Sequence, residues 1–559
     1  MISKRNSTGL LLLILVLGAL LRVPAARFAS PYSYNWDESS YIYAAHRMLS
    51  YQSLKYTWFN VPPFFLYQQI SANAAHYAWA LGTGTISSLD EVHIQTSGIN
   101  RNISPSSLLF FCRMYTVFLG LCSIGLVYAL GARIANASVG LIAAFLLAIA
   151  PGFIEHSLFV TMDLPLAFMA ALTVYVSLSM SKHPTYAAYF STSFFAGLTA
   201  ATKYNGAMIW LLPFALHCKH FKWRFLNVRL VFLIVTLFFA FSLACPWWNS
   251  MDDFTRQVGI EIQHYGRDIE YLTGSSMYGW AFVRSWAQGG FGVLPLLFAF
   301  GGMLAFALSS SKHRAAILMF PLAYFAMLAI QKADFIRNAV AMLPFLALFA
   351  AYGVERLSAW IVKCTGWKFT RTLLIAAVSL QPLIQGGQFA WDLSQLTDTR
   401  TQAVAWLNAH VPPGGRVLMD ENLAVHPEDL ARARFEYDIA PINEWRQRDT
   451  ASYSYLVSVD EFVAEDLVKH WRYEIKNWNA APYELLHEFK RAPLPAHLAA
   501  SLEKIEQVNH FLYEQRKARQ FTPDMAFPAW SSLSLFDAGT SYLGRASVNP
   551  PVAVYRPID

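Results

Sequence analysis

Ser107-Leu-Leu-Phe-Phe-Cys-Arg-Met-Tyr-Thr-Val-Phe-Leu-Gly-Leu-Cys-Ser-Ile-Gly-Leu-Val-Tyr-Ala-Leu130 carries a single charge, Arg113, in an otherwise apolar run. About 20 largely apolar residues suffice for a helix to cross the hydrocarbon of a bilayer, so this stretch reads as a membrane span. Ten further runs flank it, near residues 8 to 27, 134 to 152, 163 to 181, 187 to 203, 205 to 218, 230 to 248, 285 to 309, 315 to 331, 338 to 356 and 372 to 389. The runs at 187 to 203 and 205 to 218 are short and suggest a tight hairpin. The first run, Leu10 to Leu21 behind Lys4 and Arg5, also fits a signal peptide with a poor cleavage site at Val23-Pro24-Ala25. Both readings put residue 30 outside.

Composition agrees. The 559 residues are 55% hydrophobic and 14% charged, a balance suited to lipid rather than to an ordinary soluble domain. Charge is unevenly placed, with 17 Lys and Arg against 23 Asp and Glu in residues 391–559, and 26 against 13 before them. The basic excess lies in the apolar part, where it marks cytoplasmic loops and not a nucleic-acid surface. With the N-terminus inside, the inner loops hold Lys4, Arg5, Arg133, Lys182, Lys219, Lys222, Arg224, Arg229, Lys312, Arg314, Arg356, Lys363, Lys368 and Arg371 against Glu355 alone. That asymmetry orients the chain.

The expected architecture is an α-helical polytopic membrane domain of about eleven spans over residues 1–390, with a large first external loop at 28–106. A C-terminal extracytoplasmic α/β domain follows at 391–559, signalled by the Pro412-Pro413-Gly414-Gly415 turn and the strand-like Arg416-Val-Leu-Met-Asp420. Five cysteines lie in or beside apolar runs without metal-ligand spacing, so neither a disulfide framework nor a zinc site is indicated. Soluble nucleotide chemistry is equally unsupported, because no glycine-rich phosphate loop follows a strand.

This topology sends twelve of the thirteen acidic residues of 1–390 outward, and there the candidate chemistry collects. In Tyr34-Asn35-Trp36-Asp37-Glu38-Ser39-Ser40-Tyr41, two adjacent carboxylates flanked by aromatics suit a general base at a membrane surface. The plainer account makes Asp37 the cap of a helix from Ser39 to Leu49, with Glu38 in its first turn. Arg113 is either functional at membrane depth or a snorkelling anchor. Lys203, at the external tip of the short hairpin, suits contact with a lipid phosphate or is a solvated turn residue. Asp163 reads first as a helix cap beside Pro165. His264 suits a donor contact or is a solvated loop residue, and Lys332, Asp334 and Arg337 crowd one short outer turn.

Taken in order, these features resemble the GT-C superfamily, in particular the protein O-mannosyltransferases (family 39) and the aminoarabinose lipid A transferases. The resemblance spans roughly residues 8 to 390. It includes Asn60-Val61-Pro62-Pro63-Phe64, similar to the family's His-Pro-Pro-hydrophobic stretch, and the Lys203-Tyr204-Asn205-Gly206 tip. Asn60 replaces the usual His. The resemblance implies transfer of a sugar from a polyprenyl-phosphate donor to a hydroxyl of a protein, lipid or glycan, with inversion, at the outer face; the topology serves a bacterial inner membrane or an endoplasmic reticulum, and the compact single chain favours the former. It implies Asp37 as general base, Glu38 positioning the acceptor, and Arg113, Lys203, Arg337 and Lys332 facing the donor phosphate. Asp163, His264 and Tyr204 are further site candidates. No cofactor is required, though Asp37, Glu38 and Asp163 have the chemistry for a divalent cation. The partners expected are the donor, the acceptor and the bilayer. The competing readings are a polytopic transporter and a polysaccharide ligase or polymerase; a transporter would bury its ionisable groups near mid-membrane.

Overall fold

The structure, a computed structural model, describes residues 4–33, 36–96, 102–266, 278–331, 335–395, 397–421, 425–440, 452–459, 483–489 and 552–557. The helices in chain order are α1 (Lys4–Leu20), α2 (Trp36–Ser50), α3 (Phe64–Thr83), α4 (Ser107–Ile134), α5 (Ala137–Ile149), α6 (Pro151–Ser157), α7 (Asp163–Lys182), α8 (Tyr186–Thr202) and α9 (Leu211–Phe221). They continue with α10 (Val228–Ala244), α11 (Met251–Gly266), α12 (Tyr278–Ser285), α13 (Val293–Ala307), α14 (Arg314–Ile330), α15 (Leu343–Thr365), α16 (Thr370–Gln395), α17 (Thr399–His410) and α18 (Pro427–Leu430).

Helices stand at all eleven places where the sequence has apolar runs. Among the described residues, five stretches are long and apolar enough to cross a membrane: Asn6–Arg27, Ser107–Ile134, Asp163–Lys182, Arg337–Thr365 and Thr370–His410. A sixth arises if α5 and α6 count as one span broken by 64°. Pro151 explains the break, because it lacks an N–H and pushes Ala150 out of the helical region, to ψ 117°. α10, α13 and α14 are apolar but shorter, and α8 and α9 are both shorter and less apolar than a full span. Leu12, Leu13 and Leu20 of α1, Phe238 and Phe239 of α10, and Leu297 and Leu304 of α13 lie exposed on the outside of the bundle. Such a surface is stable against lipid and not against water.

With hydrocarbon outside, helices gain little from hiding apolar area and must pack closely. α13 and α15 do so through Gly302 and Gly353, where a Cβ on Gly302 would run into the Phe349 carbonyl. On the basic face, Asn136, Thr185 and Asn227 accept hydrogen bonds from the first turns of α5, α8 and α10, satisfying orphan N–H groups.

The loop between α1 and α4 is a folded unit. α2 and α3 pack through Tyr41, Ile42, Phe65 and Leu66 onto α4 and α8, and β1 (His93–Ile94) pairs antiparallel with β2 (Ile103–Ser104). At the other end of the chain, α16 runs past residue 390 to Gln395. Beyond it lie β3 (Arg416–Asp420), β4 (Glu436–Ala440), β5 (Tyr455–Val459), β6 (Tyr483–Phe489) and β7 (Val552–Pro557), in the order β4-β3-β5-β7-β6. β3 is parallel to both β4 and β5, whereas β7 is antiparallel to β5 and β6.

This C-terminal unit docks on the first loop through polar contacts. The Tyr32 hydroxyl donates to Asp429 Oδ2 (3.0 Å) and accepts the His426 N–H (3.0 Å). The Arg400 guanidinium, paired with Asp398 at 2.8 and 2.9 Å, lies over the Tyr32 ring at 3.5 Å. Glu428 accepts the Ser106 N–H (2.7 Å) and hydroxyl (2.9 Å). His426 is buried with Nε2 donating to the Ile103 carbonyl (2.7 Å) and Nδ1 accepting the Glu428 N–H (3.1 Å), an arrangement that fixes the neutral ring.

Burial, foremost, lowers the pKa of His426 below its ordinary 6.5. The undocked ring takes up a proton as pH falls through 6.5, and the docked ring resists until lower pH. The docking is therefore stable above that value and weakens as pH drops through the depressed pKa. Limited proteolysis of the purified chain should show the C-terminal unit becoming more cleavable between about pH 7 and about pH 5, with a flatter profile in His426→Gln.

Candidate functional site

The two acidic neighbours of the first loop part ways. α2 begins at Trp36, so Asp37 and Glu38 lie inside its first turn instead of capping it. Successive side chains on a helix diverge by about 100°. Glu38 is 0% exposed and turns into the bundle against Arg113, itself 1% exposed. Arg113 Nε and Nη2 donate to the two carboxylate oxygens at 2.9 Å each. Its Nη1 donates to the carbonyls of Ala26 (3.3 Å) and Phe28 (3.0 Å), and the Phe28 ring lies 3.9 Å from the guanidinium carbon. The Val160 N–H (3.1 Å) and the Ser33 hydroxyl (3.4 Å) complete the Glu38 carboxylate. Neither residue of this pair reaches solvent.

Asp37 turns the other way. Its Oδ2 accepts Arg337 Nη1 at 2.5 Å, with the two side chains 28% and 22% exposed. Arg337 lies in the 3-10 segment Ile336–Met342, one residue before the buried Asn338. Asn338 Oδ1 accepts Lys203 Nζ at 2.6 Å, and the same ammonium donates to Asp163 Oδ1 at 2.6 Å. Asp163 thus opens α7 as its first residue but spends its carboxylate on Lys203, and the capping position is Met162, whose side chain makes no cap bond. The Tyr324 hydroxyl donates to the Asn338 carbonyl (2.9 Å) and fixes that segment. One chain of contacts, Asp37–Arg337–Asn338–Lys203–Asp163, therefore links the first loop, α7, the end of α8 and the turn before α15.

Two further side chains, unflagged by sequence, border this chain. His156 of α6 is buried where the charges of Asp163, Arg337 and Lys203 bear on its ring. Thr161 is buried in the turn before Asp163. His156 Nδ1, Thr161 Oγ1 and Asn338 Nδ2 find no hydrogen-bond partner among the described residues. Buried polar atoms left this way carry a desolvation cost, which a bound polar ligand relieves. The legible signal was polarity inside apolar stretches, with Glu155-His156 ahead of Asp163 and Asn338 beside Arg337.

The remaining expected residues are placed elsewhere. The Tyr204 hydroxyl donates to the Phe59 carbonyl (2.8 Å), tying the hairpin tip to the first loop. Asn60 donates from its N–H to Gln257 Oε1 (3.2 Å) and from its amide to Glu261 Oε1 (3.0 Å), fastening that loop to α11. His264 belongs to α11 and not to a loop, and its side chain, like Lys332 and Asp334, lies outside the described residues. The three carboxylates expected to suit a divalent cation do not fit one. Glu38, Asp163 and Asp37 each hold a separate protein cation, and no group of three His, Cys, Asp or Glu able to bind a metal assembles among the described residues.

Residues 106–248, which contain Arg113, Asp163 and Lys203, match the family model described as dolichyl-phosphate-mannose-protein mannosyltransferase. Among solved structures, the oligosaccharyltransferase of Archaeoglobus fulgidus in its apo form shares the fold at a TM-score of 0.52 and 13% identity, covering 100% of this chain and 89% of that one. ArnT from Cupriavidus metallidurans bound to undecaprenyl phosphate gives 0.49 and 14%, over 86% of this chain and 96% of that one. The S. cerevisiae Pmt1-Pmt2 complex bound to the sugar donor gives 0.31 and 18%, over 47% and 33%. A search of curated protein sequences yields no match. The match over residues 106–248 relates that stretch to the protein mannosyltransferases, and the chain as a whole shares its fold with the archaeal oligosaccharyltransferase.

Proposed function

We propose that the chain moves a sugar from a polyprenyl-phosphate donor to a hydroxyl of a protein, lipid or glycan at the outer face of a bacterial inner membrane. In this reading the eleven helical segments are spans, residues 391–559 form an extracytoplasmic α/β domain, and the reaction is one inverting displacement. The donor class rests on the family match to dolichyl-phosphate-mannose enzymes. The observation that carries the mechanism is the split acidic pair, in which Glu38 is sealed against Arg113 while Asp37 stays partly exposed beside Arg337.

An inverting displacement needs a base for the incoming hydroxyl and positive charge for the departing phosphate. Asp37 is the base. The acceptor oxygen bonds to the anomeric carbon as the carbon–oxygen bond to phosphate breaks. The hydroxyl proton goes to Asp37 and the bonding pair leaves with the phosphate. Arg337 and Lys203 stabilise that phosphate, and Asp163 and Asn338 hold Lys203 in place. Because Arg337 grips Asp37 in this structure, a donor phosphate that draws the guanidinium away also frees the carboxylate to accept a proton. Donor binding thereby primes the base. Lys332 stays a proposed donor-phosphate residue on sequence grounds, and His264 and Tyr204 stay further site candidates. Glu38 and Arg113 position the site without touching the ligands, a change from the acceptor and phosphate contacts expected of them, because every oxygen of the one and three nitrogens of the other are already bonded inside the protein.

Asp37→Asn should insert and fold as the parent does and lose about 10²–10⁴-fold in transfer rate, measured in membranes supplied with polyprenyl-phosphate sugars and acceptor. Undiminished transfer removes Asp37 as base. Glu38→Ala strands a buried guanidinium and should cost roughly 3–5 kcal/mol, seen as lost folded yield or a lower unfolding temperature in detergent. Equal thermal stability of Glu38→Ala and Asp37→Ala would refute the division of labour between the two carboxylates.

A further inference from the structure

α7 runs 20 residues from Asp163 to Lys182, about 30 Å, so its ends lie near opposite faces of a bilayer. The end away from the Asp163 site gathers basic side chains from four elements: Arg133 at the end of α4, Lys182 at the end of α7, Lys219 in the last turn of α9, and Lys312 just before α14. Hydrogen bonds draw these elements together. Lys219 Nζ (2.7 Å) and the Ser181 hydroxyl (2.9 Å) both donate to the Lys312 carbonyl. Arg133 donates to Ser179 Oγ (3.1 Å), and His220 Nε2 meets the Met180 carbonyl at 2.9 Å.

His313 lies within reach of these charges. It is 7% exposed, and its Nδ1 has no partner among the described residues. The charges of Lys312, Arg133, Lys219 and Lys182 all bear on its ring, while the four cations themselves are exposed. Among the described residues none of the four forms an ion pair. Membrane orientation explains basic residues on this face, but it asks only that they be in the loops. It does not by itself call for four like charges from four elements around one buried, unpartnered ring, an arrangement whose mutual repulsion an anion would relieve more fully than water. Exposed Trp223 and Leu308 on the neighbouring connections suit the interface, where aromatic and apolar groups meet head groups.

We propose that this inner-face cluster binds the phosphate of an anionic phospholipid head group, with Lys182, Lys219, Lys312 and Arg133 around the phosphate and the His313 Nδ1–H beneath it. The site is separate from the transfer chemistry and does not depend on it. Basic pockets between helices on the cytoplasmic side suit such head groups, each cation adding to the attraction.

The test is native mass spectrometry of the purified full-length chain, delipidated and then titrated with phosphatidylglycerol or with phosphatidylcholine of the same acyl chains. The parent should retain phosphatidylglycerol preferentially, and K182Q/K219Q/K312Q should weaken that retention roughly tenfold or more. His313→Phe keeps every charge that orients the chain, and should also lose the preference; it decides the matter alone if the triple variant fails to insert. Equal retention of the two lipids by the parent, or an undiminished preference in His313→Phe, overturns the proposal. Inorganic phosphate titrated in place of lipid separates the sources, since saturation by phosphate without any phosphatidylglycerol preference would point to a soluble anion and sink the lipid assignment.

Discussion

A guanidinium and a carboxylate sealed from water hold the first loop of this protein to its helical bundle. Taking two such charges out of solvent is costly, and their attraction offsets the cost only when the geometry is good and the remaining atoms are bonded. Both conditions hold for Arg113 and Glu38. The carboxylate also receives Val160 from the turn ahead of α7, and the guanidinium also reaches the carbonyls of Ala26 and Phe28 after α1. Three separate stretches of chain are fixed to one ion pair. Because Glu38 is anchored inward, its neighbour Asp37 is turned about 100° away from it around α2, toward Arg337.

From that anchor the candidate site follows as a series of compensated charges. Arg337 answers Asp37 and Lys203 answers Asp163, with Asn338 bridging the two pairs through its neighbour in sequence and its own side chain. A site built this way is near neutral before substrate arrives. In the proposed reaction a donor phosphate competes with a carboxylate for each cation, so that its binding and the release of the proposed base are a single exchange of partners. Asp163 and Lys203 are buried and Asp37 and Arg337 are partly exposed, so the second pair is the one free to exchange.

Much of this was legible in the residues, and what was not has physical causes. The apolar runs located helices because a bilayer demands length and composition together. Arg416-Val-Leu-Met-Asp420 declared its strand through its apolar, extended-prone pattern. Two adjacent carboxylates, however, look alike in sequence, and only the packing of α2 against α4 tells the structural one from the reachable one. Asp163 looked like a cap because position along the chain favours that reading, but a lysine 40 residues later claims its oxygen. His264 looked like a loop residue because α11 is a polar helix with acidic residues in its first turn and little apolar content. The docking of Tyr32 on Asp429 joins residues 397 positions apart, and no local pattern announces a contact of that range.

The two ends of α7 show how one rule of charge placement produces opposite electrostatics. At the Asp163 end, acid and base arrive in pairs, so burial is tolerable and the charges stay fixed in a partly desolvated site. At the Lys182 end the basic residues arrive without acids, as orientation in the membrane requires. They can gather there only because they remain exposed, where water or an anionic head group moderates their repulsion. The balanced face can therefore sustain buried ionic chemistry, and the unbalanced face cannot. On the proposed topology, the same asymmetry that orients the chain would also decide on which side of the bilayer the proposed phosphate-displacing reaction is housed.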